Sequence, residues 1–203
     1  MAFDADLLRT CADPSLKPAI VEQFVKEVGS PDPLAVTVRS GNRVILVPPA
    51  KTPDEALELV RIHLGQAVVR VGVTQYPAGI GIRDASELTP ALVDPCENIR
   101  MGTALFGKVW RIVLKWYGDP TAEDVMPQVL DDALNAWRTG QFEGTEVFSA
   151  PDPGQPKSTD RKREDMPQPE PDSVRPSPQE TPPGDPNTSD IRVDLSGIGG
   201  RAP

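Results

Sequence analysis

A mostly α (α+β) domain with a small β element, followed by a disordered proline-rich tail, is the fold class this sequence predicts. Three observations carry it. The segments Thr52-Pro53-Asp54-Glu55 and Asp94-Pro95-Cys96-Glu97 each combine a capping side chain, a proline and an acidic third position, a pattern that opens helices. Valine-rich stretches stand between Val36 and Val47 and again from Ala67 to Tyr76. From Ala150 onward there is no aromatic residue, yet that stretch holds half of the 24 prolines. The expected organisation is one globular domain over 1–149 and a tail over 150–203.

The elements follow in chain order. Over Lys17 to Val28, the residues Ile20, Val21, Phe24, Val25 and Val28 share one stripe at helical spacing. Pro18 suits the first turn of that helix, and Gly29 suits the position just past its end. A hairpin is expected between Val36 and Val47 around Ser40-Gly41-Asn42, closed by Pro48-Pro49. The Thr52 cap opens a helix to about Leu64, stopped by Gly65, and Ala67 to Tyr76 reads as extended. Pro77, Gly79 and Gly81 give an irregular segment. The Asp94 cap opens the strongest helix, reaching about Tyr117, with Ile99, Leu105, Val109, Ile112, Val113 and Trp116 expected inward and Gly118 as the stop. A last helix runs from about Pro127 to Arg138, before Gly140. No internal repeat is found.

Composition narrows the function classes. The 203 residues are 38% hydrophobic and 25% charged, enough for one ordinary core. The tail is dominated by Pro, Asp, Ser, Thr, Gln and Glu, which bury too little apolar surface to offset ordering entropy. The net charge is −9, with an acidic balance in both parts, so no basic face is offered to phosphates and direct nucleic-acid binding is not expected. The lone basic cluster, Arg161-Lys162-Arg163, sits among acids. No apolar run approaches the roughly 20 residues of a membrane span. Asp4 and Asp6 stand where a secretory signal would be positive, so the sequence by itself predicts no signal peptide and a cytoplasmic location.

Glu27 is the candidate with chemistry. It lies one step outside the apolar stripe beside Ile20 and Phe24, in the last turn of its helix. Partial burial and the negative helix end both favour the protonated acid, which is the form that protonates a glycosidic oxygen. A glutamate merely flanking a core helix has the same sequence signature.

Five segments in one order add to this reading. They are Leu7-Leu8-Arg9-Thr10-Cys11-Ala12; Glu27-Val28-Gly29 running into Asp32-Pro33-Leu34-Ala35-Val36; Gly72-Val73-Thr74-Gln75-Tyr76-Pro77; Asp94 to Gly102; and Ala133 to Gly140. Together they resemble the lytic transglycosylases attached to type IV secretion systems, over roughly residues 7 to 148. There the corresponding segments read Cys-Ala-Pro, Glu-Ser-Gly with Asn/Asp-Pro-x-Ala-Ile, Gly-Leu-Met-Gln-Ile-Asn, Asp-Pro-Cys-x-Asn-Ile-x-x-Gly and Ala-x-x-x-Tyr-Asn-Thr-Gly. More narrowly, the whole chain resembles the TraH conjugal-transfer family of rhizobial and Agrobacterium-type plasmids, chiefly through Ala67 to Gly79.

The resemblance implies a lysozyme-like domain that cuts the β-1,4 bond of peptidoglycan glycan strands, and so a periplasmic site of action. It assigns Glu27 as acid and then base, and Gln75 as a group that bonds substrate or orients the glutamate. Tyr76, Trp137 and Arg138 fall on its substrate-binding positions, with Trp137 able to stack on sugar. No metal or organic cofactor is implied. Cys11 and Cys96 match its two cysteines and suggest a disulfide; two buried free thiols are the alternative that a cytoplasmic chain favours. The departures are Val28 for Ser, one extra residue before Asp32-Pro33, Tyr76-Pro77 for Ile-Asn, and Trp137-Arg138 for Tyr-Asn. An arginine beside Glu27 opposes an acid's task.

The remaining candidates read as structural. His63 suits packing or a helix C-terminus, and Trp110, Trp116 and Tyr117 suit the core. In the tail, Ile191, Val193 and Leu195 alternate with polar residues, a pattern suited to adding a strand to a partner protein's sheet, or to plain disorder. Three functions stay open: a peptidoglycan-remodelling enzyme of the mating apparatus, a catalytically inactive structural or binding component of it, or a cytoplasmic regulator of conjugation.

Overall fold

The structure, a computed structural model, describes residues 4–154. The basic cluster at 161–163 and the alternating segment around Ile191, Val193 and Leu195 lie outside the described residues. Helix α1 spans Ala5–Cys11, α2 Pro18–Val28, α3 Pro53–His63, α4 Pro95–Trp116 and α5 Met126–Thr139. Strands are β1 Val36–Ser40, β2 Arg43–Ile45, β3 Val68–Val71, β4 Tyr76–Pro77, β5 Gln141–Phe142 and β6 Thr145–Glu146. Two 3-10 turns, Ala85–Glu87 and Pro90–Leu92, lead into α4. Among the described residues no helix is long and apolar enough to cross a membrane.

The caps work as their residue types dictate. Thr52 Oγ1 accepts from the Glu55 amide at 3.2 Å, and the Glu55 carboxylate reaches back to the Lys51 amide at 2.7 Å. Asp94 accepts from the Glu97 amide at 2.9 Å, with Pro95 in the first turn. Helix α1, for which no element is expected from the pattern, is short and starts on Asp4, whose carboxylate accepts from Asp6 and Leu7 amides. Gly29 follows α2, but not to supply a left-handed turn. A Cβ there would collide with the carbonyls of Val25 and Val73, so the glycine lets the end of α2 touch the loop after β3. Ser30 N–H seals that contact on the Val73 carbonyl at 2.9 Å.

Strands β1 to β4 form one antiparallel sheet in the order β2-β1-β3-β4. The register pairs Val36 with Val71 and Val38 with Val69, all on one face; Val38, Val69 and Val71 are buried there. The opposite face carries Thr37, Arg39, Val68 and Arg70. The valine-rich stretch from Ala67 is therefore strand only to Val71; it then turns and resumes as β4.

Two apolar cores result. The first gathers α1, α2, α4 and α5 around Phe24, Phe106 and Trp137, all wholly buried. Phe24 stacks on Phe106 at 4.1 Å, and Trp137 meets both edge-on. The second lies between α3, the inner sheet face and the 3-10 turns, and consists of small aliphatics such as Val38, Ala56, Val60 and Val71. A disulfide joins Cys11 of α1 to Cys96 of α4. Trp116 corrects the expected inward stripe of α4: it is 58% exposed, because the last turn of the helix projects beyond the core. Leu105 and Ile112 are half-buried. After α5, the β5–β6 hairpin folds back, and the Asp152 carboxylate receives two hydrogen bonds from Arg111 of α4.

Candidate functional site

The site begins at the turn between β3 and β4. Gly72 and Gln75 both adopt positive φ, +74° and +51°, so a non-glycine residue is held in a region that costs about 1–3 kcal/mol. Gln75 offsets this with three contacts. Its Nε2 donates to the Gly72 carbonyl at 3.0 Å, its Oε1 accepts from Thr37 Oγ1 at 2.7 Å, and its own carbonyl accepts from Arg70 Nη1 at 3.2 Å. Behind the turn, Asn98 is wholly buried and uses its whole amide. Oδ1 accepts from Thr74 N and Thr74 Oγ1, both at 2.9 Å; Nδ2 donates to Val71 O at 3.1 Å and Leu92 O at 2.8 Å. Gly102, one turn further along α4, leaves room for Thr74, whose side chain would meet any Cβ there.

Glu27 sits beside this turn, in the last turn of α2. It is not the half-buried acid expected from the helical stripe. Its side chain is 43% exposed, and its neighbour is a cation: Arg138 Nη2 stands 3.9 Å from the carboxylate and donates to the Glu27 backbone carbonyl at 3.0 Å.

The other expected site residues divide. Arg138 is brought to Glu27. Gln75 is only 9% exposed, and its amide is spent on Gly72 of its own turn and Thr37 of β1, so among the described residues it makes no bond to Glu27. Tyr76 is half-buried in β4, packs against both cores, and burial pushes its hydroxyl pKa up. Trp137 corrects the expectation of a sugar-stacking ring. It is wholly buried, with Phe24 at 5.0 Å and Phe148 at 5.4 Å, because the inward face of α5 carries it into the aromatic core. Trp116 is exposed and meets Tyr117 and Phe142 edge-on, while the Tyr117 hydroxyl donates to Asp132 at 2.7 Å. His63 closes α3 half-buried, its carbonyl accepting from Gln66 and Ala67.

The residue that sequence reasoning passes over is Arg70. Arg70 is 8% exposed as a residue, and its guanidinium makes no ion pair among the described residues. Besides the Gln75 carbonyl it donates through Nη2 to Trp137 O at 2.6 Å and Arg138 O at 3.2 Å, the negative C-terminal end of α5. Its Cζ lies 5.8 Å from the ring centroids of both Trp137 and Phe148. Burial, with a smaller contribution from Arg39, lowers its pKa to about 10. One signal in the sequence points to it: Val68-Val69-Arg70-Val71 sets a single charge inside a valine run, where strand alternation puts it on the face opposite the core.

Arg70 also forms the floor of a groove of about 870 Å³ between the outer sheet face and the end of α5. Arg39 and Arg138 stand on its walls with Asn135, Gln141 and Glu146. Glu27 lies off this lining but is tied to it by Arg138. The arrangement can hold a polar ligand through guanidinium and amide donors. Among the described residues no group of three or more His, Cys, Asp or Glu side chains could hold a metal.

Comparison with known proteins places the chain. No solved structure matches it. A Sinorhizobium fredii protein described as uncharacterized protein y4dP is 54% identical over 202 residues, spanning 98% of this chain and 99% of that protein. The TraH_2 family model matches residues 2–200. The chain belongs to the TraH_2 family, which associates it with conjugal transfer.

Proposed function

We propose that this protein serves conjugal plasmid transfer as a non-catalytic binding component, using the groove between the sheet and α5 to hold a partner of the mating apparatus. The observation that carries the reading is the environment of Glu27: an exposed carboxylate facing Arg138 at 3.9 Å, with the neighbouring glutamine amide already spent. A single-carboxylate mechanism needs that acid to arrive protonated and to be oriented on a bound sugar. Here neither the burial nor the orienting partner is in hand.

Two measurements test it together. In a cell-wall zymogram the wild-type chain is expected to clear nothing. In mating assays Glu27→Gln is expected to transfer plasmid at the wild-type rate, while Arg138→Glu, which reverses a groove charge, lowers transfer at equal protein level. The competing reading is a peptidoglycan lytic transglycosylase, favoured by the contact of Glu27 with the groove residue Arg138 and by the segment order that resembles those enzymes. Clearing by the wild type that Glu27→Gln abolishes would establish it instead.

A further inference from the structure

We propose that the groove is an acidic-peptide site, in which Arg39, Arg70 and Arg138 receive successive carboxylates of an extended segment of a partner protein. The proposal deepens the binding reading above and rests on it. Strand register supplies the first argument. Arg39 faces Val68 and Arg70 faces Thr37 across the β1–β3 ladder, so the two arginines are diagonal neighbours on one face, about 7 Å apart. Like charges at that spacing repel, and neither forms an ion pair with a carboxylate among the described residues. Arg70 is satisfied only by carbonyl oxygens, which solvate its N–H groups and leave its charge uncompensated. A ligand carboxylate laid between them supplies the missing counter-charge with the planar geometry guanidinium prefers.

The third cation extends the site along the groove. The Arg138 carbonyl is bonded to Arg70 while its side chain reaches toward Glu27, so the cations run from the sheet to the end of α2. A volume of about 870 Å³ exceeds the need of one small anion and falls in the range of drug-sized ligands. The lining is poorly suited to a neutral sugar: its aromatic residue, Phe148, is half-buried, and the Arg70 guanidinium already lies near its ring. A nucleic-acid strand would meet a chain of net charge −9 without a continuous basic face. A short acidic peptide fits the diagonal placement of Arg39 and Arg70, and Glu146 on the same lining restricts its carboxylates to the arginine side of the groove.

The test is fluorescence anisotropy of the full chain with labelled hexaglutamate at low salt, with the N-acetylglucosamine hexamer and inorganic phosphate as competitors. Hexaglutamate is expected to bind despite the acidic net charge and to weaken as salt rises. Arg39→Glu is expected to weaken it by about tenfold or more and Arg39→Lys by much less. Arg39 lies exposed on the outer sheet face, so circular dichroism should be unchanged in both variants; Arg70 is left intact because its loss would unsettle the turn. No hexaglutamate binding, binding indifferent to Arg39→Glu, or displacement by the sugar hexamer or by phosphate at equal charge concentration overturns the proposal. If Arg138→Glu impairs mating while hexaglutamate fails to bind, the peptide site falls and the binding function stands.

Discussion

The two cores solve the same burial problem with different materials. On the helical side, Phe24, Phe106 and Trp137 interlock edge to face and a disulfide ties α1 to α4. On the sheet side, the buried residues are valines, leucines and alanines, with no aromatic ring among them. Large rings fill volume with few side chains and free the helix surfaces. Small β-branched residues instead pack flat against α3 and leave the outer sheet face available for arginines. The contrast teaches where chemistry is affordable in this fold: on the sheet side, facing away from its thin core.

That contrast can be broken or sharpened experimentally. Trp137→Ala should have the largest effect, costing up to about 5 kcal/mol in chemical denaturation. A loss no larger than that of a sheet-side valine truncation would erase the distinction. The disulfide closes a loop of 85 residues, so opening it by Cys11→Ser with Cys96→Ser should cost about 4 kcal/mol relative to the oxidised wild type. Under reducing conditions the double variant and the wild type should then unfold together. Asn98→Ala attacks the seam between the cores. It strands the Thr74 amide and the Val71 and Leu92 carbonyls and should cost roughly 3 kcal/mol, read as a lowered denaturation midpoint.

Smaller effects test the margins. The Arg111 hydrogen bonds hold the Asp152 carboxyl below its ordinary pKa. The contact is therefore fully present above the usual carboxylate range and is lost as pH falls through the lowered value. Asp152→Asn should cost about 1 kcal/mol at neutral pH, and the deficit against wild type should vanish in acid. Arg138→Gln should shift stability by no more than about 0.5 kcal/mol, because its pair with Glu27 is exposed. A large shift there would make the residue structural and weaken its place in the groove.

Much of the helical frame was legible because its signals are local. Thr52, Asp94 and the prolines that follow them announce α3 and α4, and the stripe from Ile20 to Val28 announces α2. The Ser40-Gly41-Asn42 turn places the β1–β2 hairpin. Helix α1 is too short to establish a period, and β5–β6 form only two-residue strands, so neither leaves a pattern in sequence. The site was legible only in part. The pairing of Arg138 with Glu27 joins residues 111 apart in the chain, and a shared motif order pointed to it. The burial of Trp137 and the exposure of Trp116 depend on how α4 and α5 roll against each other, which periodicity alone does not fix. Arg70 was hidden for the same reason: whether a charge on the outer sheet face is solvated or covered depends on α5, sixty-seven residues downstream.

The Asn98 seam has a mechanical consequence. Four hydrogen bonds from one amide rivet the long helix to the β3–β4 turn and to the segment before it, so the halves cannot swing apart without stranding several polar groups at once. A seam of that kind holds α4 and the β3–β4 turn in one arrangement. On the binding reading proposed above, a partner would meet a preformed surface, with selectivity arising from fit and charge placement.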